Sequence, residues 1–261
     1  MKPAYQADPF FQYPRETRKT SQGDVDFPVY YYDVSNLIAI FRANPDGVES
    51  LLQSSGLKPA LGLVDKPLVF LSFYEYRKTS IGSYNEVGVA IPVLPQGTRS
   101  SRSSLFDLLR AVDKSQLGFY VVDLPVTTEA ANAAGRELWG YPKFVADIPF
   151  KLEGNAFSSE VKDPAGDCIL QLSGKLNLGI KAPPLSAVTY SRLDGKTLRA
   201  VVNVRGSNKA HLGHSLKLNL GDSQHPMAQN LRNLGLDNQR PLMVLSSSDF
   251  QSRLNLGTVI D

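Results

Sequence analysis

Short runs of β-branched and aromatic residues, punctuated by glycine, proline, asparagine and serine, recur along most of the chain. Such runs are too short for helices of ordinary length and read as strands. The first is Leu37 to Phe41, followed by Asn44-Pro45, where an asparagine cap and a first-turn proline predict a helix through Leu52. Leu68 to Tyr76 and Tyr84 to Val93 flank the turn-forming Thr79-Ser80-Ile81-Gly82 and predict an antiparallel pair. Gly118 to Asp123 is a further strand. From Lys143 onward, Phe144 to Leu152, Ala156 to Val161, Cys168 to Leu176, Ala187 to Leu193, Leu198 to Val204 and His211 to Leu220 read as a meander, with a late strand at Leu242 to Leu245.

Helical spacing is confined to three other places. Leu105, Phe106, Leu108, Leu109 and Val112 predict a short amphipathic helix ending near Lys114. Thr127 or Thr128 caps a second helix, from Glu129 to about Leu138, which Gly140 and Pro142 terminate; Pro226 to Leu234 is the third. Many strands with few helices imply an α+β fold built on a large curved or closed antiparallel β-sheet, barrel-like or cone-like, because closure removes exposed strand edges. Pro3, Pro9, Pro14 and Pro28 break up the beginning of the chain, so residues 1–28 read as an N-terminal arm and 29–261 as one domain.

Composition narrows the function classes. A chain of 261 residues with 42% hydrophobic and 20% charged residues suits a globular protein with a substantial core. The net charge of +3 is spread out, without a basic block, so nucleic acid is not an expected partner. The beginning of the chain lacks the features of a signal peptide and no stretch is apolar for long enough to span a bilayer, so a cytoplasmic protein without a membrane partner is the expectation. Cys168 is the only cysteine, and it reads as strand packing. His211 and His214 are unaccompanied by acidic or cysteine ligands, so neither a metal site nor a cofactor is expected. Phosphate cradles and nucleophile elbows are also missing from the sequence.

The informative segment is Gly135-Arg136-Glu137-Leu138-Trp139-Gly140-Tyr141-Pro142-Lys143. A small-residue helix ends there in a rigid turn that delivers a lysine onto a strand. An amine nucleophile must lose its proton near neutral pH, which burial or a neighbouring cation promotes. Trp139, Tyr141 and Phe144 offer burial. Read from these residues alone, Lys143 is either such a nucleophile or a surface lysine whose stem packs while its amine stays wet. Arg136 and Glu137 are expected to hold the Pro-Lys turn. In Tyr84 to Val93, alternation puts Glu86 on one face with Tyr84, Gly88 and Ala90, whose small side chains leave room for a ligand, and Val87, Val89 and Ile91 on the other.

The segment GRELWGYPK resembles the signature of the acetoacetate decarboxylase family, whose lysine after the proline forms the Schiff base. Tyr84-Asn85-Glu86 resembles the strand carrying that family's active-site glutamate, and His225-Pro226-Met227-Ala228 with Ser246-Ser247-Ser248 resembles its C-terminal region, so the likeness runs from about Leu37 onward. The resemblance implies Lys143 and Glu86 as catalytic residues, Tyr141, Trp139, Phe144 and Tyr84 as pocket residues, a small carbonyl or oxo-acid substrate, and a homo-oligomer. It also implies decarboxylation or aldol and dehydration chemistry. Two departures stand out. Phe144 occupies the place of a second lysine, and Tyr30 to Val34 lacks the arginine that the decarboxylases carry in that region. The same barrel without amine activation would be a binding protein for small molecules.

Overall fold

In the computed structural model, residues 4–60, 62, 63, 66–98 and 112–260 are described. The early residues expected to form only an arm contain a hairpin, β1 (Glu16–Thr20) with β2 (Gly23–Phe27). β3 (Val29–Arg42) leads into α1 (Pro45–Leu52), whose Asn44 cap accepts from Asp46 N. Next come β4 (Leu57–Pro59), β5 (Gly62–Leu63), β6 (Lys66–Thr79), β7 (Tyr84–Pro95) and β8 (Gly118–Asp123). The sequence-predicted helix at Leu105 to Lys114 lies largely outside the described residues; its end is a single 3-10 turn, Val112–Lys114.

After α2 (Glu129–Trp139) come β9 (Phe150–Glu153), β10 (Ala156–Lys162), β11 (Cys168–Lys175), β12 (Ile180–Ala182), β13 (Ala187–Leu193), β14 (Lys196–Arg205), β15 (Asn208–Leu212) and β16 (Leu216–Leu220). α3 (Pro226–Asn233), β17 (Met243–Leu254) and β18 (Thr258–Val259) complete the order.

The ring β17-β3-β6-β7-β8-β13-β14 closes on itself through β14 and β17 and forms a barrel. Its neighbours pair antiparallel except at one seam, where β8 and β13 run parallel. β9, β10, β11 and β16 form a separate four-stranded antiparallel sheet, so the run of strands after Lys143 is shared between two sheets and is not one meander. His211 to Leu220 is two strands because the turn at Gly213–Ser215 carries the chain from one sheet to the other.

The barrel strands β6 and β7 pack one face against the second sheet and turn the other to the barrel interior. On β6 and β7, Val69, Leu71, Phe73, Val87, Val89 and Ile91 point outward and are fully buried with Phe157, Leu170, Leu172 and Leu218 of the second sheet. Phe73 meets Phe157 edge to face at 5.4 Å. The alternate residues Phe70, Ser72, Tyr74, Glu86, Gly88 and Ala90 point inward and line a cavity of about 180 Å³. No helix among the described residues is long and apolar enough to cross a membrane.

Candidate active site

Lys143 is aimed by backbone geometry on both sides of it. Thr128 caps α2 by accepting from Ala131 N at 3.4 Å, and the helix ends at Gly140, whose φ of 64° and close approach to Arg192 O leave no room for a side chain. Gly140 N and Tyr141 N donate to Arg136 O and Gly135 O, which reverses the chain tightly. The Lys143 stem then crosses α2 at Gly135, where an added Cβ would lie 2.3 Å from both Cδ and Cε. Glycine is required there for close approach of the helix.

Three stretches of backbone bring the acid and the amine together. Leu124 N donates to Pro142 O and Val126 N to Phe144 O, bracketing Lys143. Val126 bridges Val145 on one side and Glu86 on the other. Lys143 itself therefore lies in an irregular stitched segment, not on the regular strand expected from Phe144 to Leu152, and the first strand of that stretch begins at Phe150. Arg136 Nη1 donates to Lys143 O at 2.9 Å and holds the turn. Glu137 does not; it accepts from Ser21 N and Oγ and anchors the N-terminal hairpin.

Lys143 Nζ donates to Glu86 Oε2 at 2.5 Å, with 6% of the lysine and 7% of the glutamate exposed. The other carboxylate oxygen accepts from Tyr76 OH at 3.0 Å. The Tyr84 ring lies 5.7 Å from the ammonium, and its hydroxyl meets Tyr31 OH at 3.2 Å. Glu86 lines the barrel cavity, whereas Lys143 sits one hydrogen bond behind it. Burial raises the pKa of each surrounding phenol: Tyr74 is pushed up to about 12, and Tyr31, Tyr76, Tyr84 and Tyr141 also shift upward. The Glu86 charge adds to the rise in all five, so these hydroxyls remain protonated donors.

The four pocket candidates separate in space. Tyr141 lines the cavity and its hydroxyl meets Thr189 Oγ1 at 2.6 Å. Trp139 is buried behind it, stacked at 5.9 Å, and donates through Nε1 to Asn255 O. Tyr84 touches the ion pair from outside the cavity lining. Phe144 is turned away, because consecutive side chains of an extended segment point to opposite sides. Its ring packs on His225 at 4.1 Å and borders an outer cleft that Lys143, Arg136 and Asp163 also line.

Tyr31, Tyr74, Tyr76 and Gly135 were not among the sequence candidates. The signal for two of them was the hairpin turn at Thr79 to Gly82, because the resulting register pairs Tyr74 with Glu86 and Tyr76 with Tyr84. His211 is engaged structurally, between Asn177 O and Ser246 Oγ, and no cluster able to hold a metal occurs among the described residues. Cys168 begins β11 as a partly exposed thiol, pushed up to about 11, chiefly by burial.

A closed barrel with a buried lysine and glutamate at its cavity is joined by family-level similarity. The acetoacetate decarboxylase family pattern matches residues 12–215, and the chain belongs to that family. Acetoacetate decarboxylase 3 of Mesorhizobium japonicum is 30% identical over 128 residues, 49% of this chain and 41% of that protein. The aligned stretch is thus less than half the length of this relative.

Solved structures extend the likeness of fold over nearly the whole chain. Acetoacetate decarboxylase from Legionella pneumophila superposes with a TM-score of 0.64 at 17% identity, covering 95% of this chain and 92% of that one. The enduracididine biosynthesis enzyme MppR, complexed with the condensation product of pyruvate and imidazole 4-carboxaldehyde, gives 0.59 at 12% identity, covering 89% and 88%.

Proposed function

We propose that the protein is a Schiff-base-forming lyase in which Lys143 attacks the carbonyl of a small oxo acid or related carbonyl compound. The observation that carries this reading is the 2.5 Å bond from a buried Lys143 ammonium to a buried Glu86 carboxylate at the edge of the barrel cavity. Transfer of one proton along that bond leaves a neutral acid beside a neutral amine, the form of the lysine that can attack a carbonyl. The amine nitrogen then bonds to the carbonyl carbon while its oxygen, protonated, departs as water. In balance, an ammonium and a carbonyl become a protonated imine and one water, and Glu86 returns to its carboxylate form.

The imine withdraws electrons from the adjacent carbon–carbon or carbon–hydrogen bond. Breaking the first releases carbon dioxide from a β-keto acid; breaking the second gives an enamine for aldol-type bond formation and dehydration. MppR, with its bound condensation product of pyruvate and an aldehyde, supports including the second outcome. Tyr76 holds the second oxygen of Glu86, so the acid presents one oxygen to the amine and stays oriented through the proton transfers.

The second reading, a small-molecule binder on the same barrel, rests on one feature: Lys143 is tied to Glu86 and lies outside the cavity lining. Borohydride reduction in the presence of acetoacetate, pyruvate and simple aldehydes, followed by intact-mass analysis and peptide mapping, separates the two. A reduced adduct on Lys143, missing from Lys143→Ala, is the expected result. Folded protein that gives no adduct with any of them supports the binder.

A further inference from the structure

The wall of the cavity is graded along the strands. At one end Glu86 is surrounded by tyrosines; four residues along β7, about 13 Å away at strand rise, the lining is Ala90 with Phe70 across the register. Phe119 packs on Phe70 at 4.9 Å, and Ile38 and Leu185 continue the apolar end. Gly88 and Ala90 supply the open middle, since larger side chains at those inward positions would occupy it.

Among the described lining residues, Glu86 is the only one with a formal charge, and it is negative. Three of the tyrosine hydroxyls on the cavity wall are already engaged. Tyr76 donates to Glu86, Tyr141 is bonded to Thr189, and Tyr31 to Tyr84. The phenols report the local field as well, because burial and the Glu86 charge both disfavour their anionic forms. A ligand carboxylate there would meet the same burial penalty, with the nearest cation, Lys143, already paired to Glu86.

We infer that, of the carbonyl compounds open to Lys143, the one forming the imine most readily is an uncharged ketone or aldehyde with an apolar body. A cavity of about 150 Å³ holds benzene, so one of about 180 Å³ suits a body of roughly six to eight heavy atoms. This choice of substrate rests on the Schiff-base reading for its chemistry. The carbonyl is placed at the tyrosine end beside Glu86, and the chain or ring lies over Gly88 and Ala90 toward Phe70.

The test compares hexan-2-one and benzaldehyde with pyruvate and acetoacetate in two measurements on the full chain. One is the rate of borohydride-trapped adduct at Lys143, mapped against Lys143→Ala; the other is the ligand-induced rise in thermal midpoint without borohydride. Trapping at least ten-fold faster with the uncharged probes, and a midpoint rise from them alone, is expected. Equal or faster trapping with either oxo acid overturns the substrate class and leaves the Schiff-base reading standing. Midpoint rises from the uncharged probes without any adduct overturn the Schiff-base step and keep the ligand class. Neither response from the uncharged probes overturns the inference.

Discussion

Gly135 and Lys143 are in contact across the turn that separates them, with the helix backbone pressed against the lysine stem so closely that a methyl group has no space. Gly135→Ala is favoured by about 1 kcal/mol of helix propensity and opposed by about 1–3 kcal/mol of overpacking. The clash wins if the stem stays in place; if the stem moves, the amine leaves Glu86. The variant is expected to fold with little change in urea midpoint yet to lose at least ten-fold in carbonyl trapping. Unchanged trapping would show that the stem can be displaced without moving Nζ.

Lys143 and Glu86 form a buried pair whose members depend on each other. Lys143→Met leaves a carboxylate without its cation and is expected to cost about 3–5 kcal/mol, whereas Lys143→Met combined with Glu86→Gln recovers much of that loss. Urea unfolding of the two single variants and the double variant completes the cycle. Additive effects would mean that the two charges are not coupled in the folded protein.

Asp123 ends β8 buried, with Asn230 Nδ2 donating to its Oδ2 at 3.0 Å. Burial pushes its carboxyl up to about 7, from 3.8, and the Asn230 bond offsets only part of that rise. The folded state thus binds a proton that the unfolded state releases between these values, so its stabilising contribution is full below pH 3.8 and is lost as pH rises through about 7. Ionisation at pH 8 costs on the order of 4 kcal/mol. Asp123→Asn keeps an acceptor for Asn230 and is expected to be more stable than the parent at pH 8, with a flatter dependence between pH 5 and 8. Parallel urea midpoint profiles for the two proteins would contradict this.

Phe144→Lys is expected not to raise acetoacetate decarboxylation. The new ammonium would enter the outer cleft by His225 and Asp163, which Lys143 also borders but from which its amine turns away to Glu86. Steady-state carbon dioxide release by parent and variant decides it. A large increase would place residue 144 in electrostatic contact with the amine.

Local signals carried much of this fold. The capping of α1 and α2, the Gly140 terminus and the β6–β7 hairpin all follow from short-range residue patterns, and the Glu86 alternation fixed its inward face. What remained hidden depends on long-range partners. The parallel β8–β13 seam, the division of later strands between two sheets and the direction of Phe144 are decided by which surfaces meet. The hairpin of residues 16–27 escaped notice because its strands are short and largely polar, leaving weak alternation to read. Gly135 was legible as a helix residue but not as a contact, since its role is defined by a side chain on the returning segment.

The closure of β14 on β17 makes the cavity depend on a segment distant in sequence from both site residues. During synthesis, Glu86 and then Lys143 leave the ribosome well before residues 243–254, the stave that pairs with β3 on one edge and β14 on the other. Without that stave the ring would be open between β3 and β14. The acid and the amine stand on earlier segments, and the ring around the cavity beside them is closed by a segment about a hundred residues beyond Lys143 in sequence.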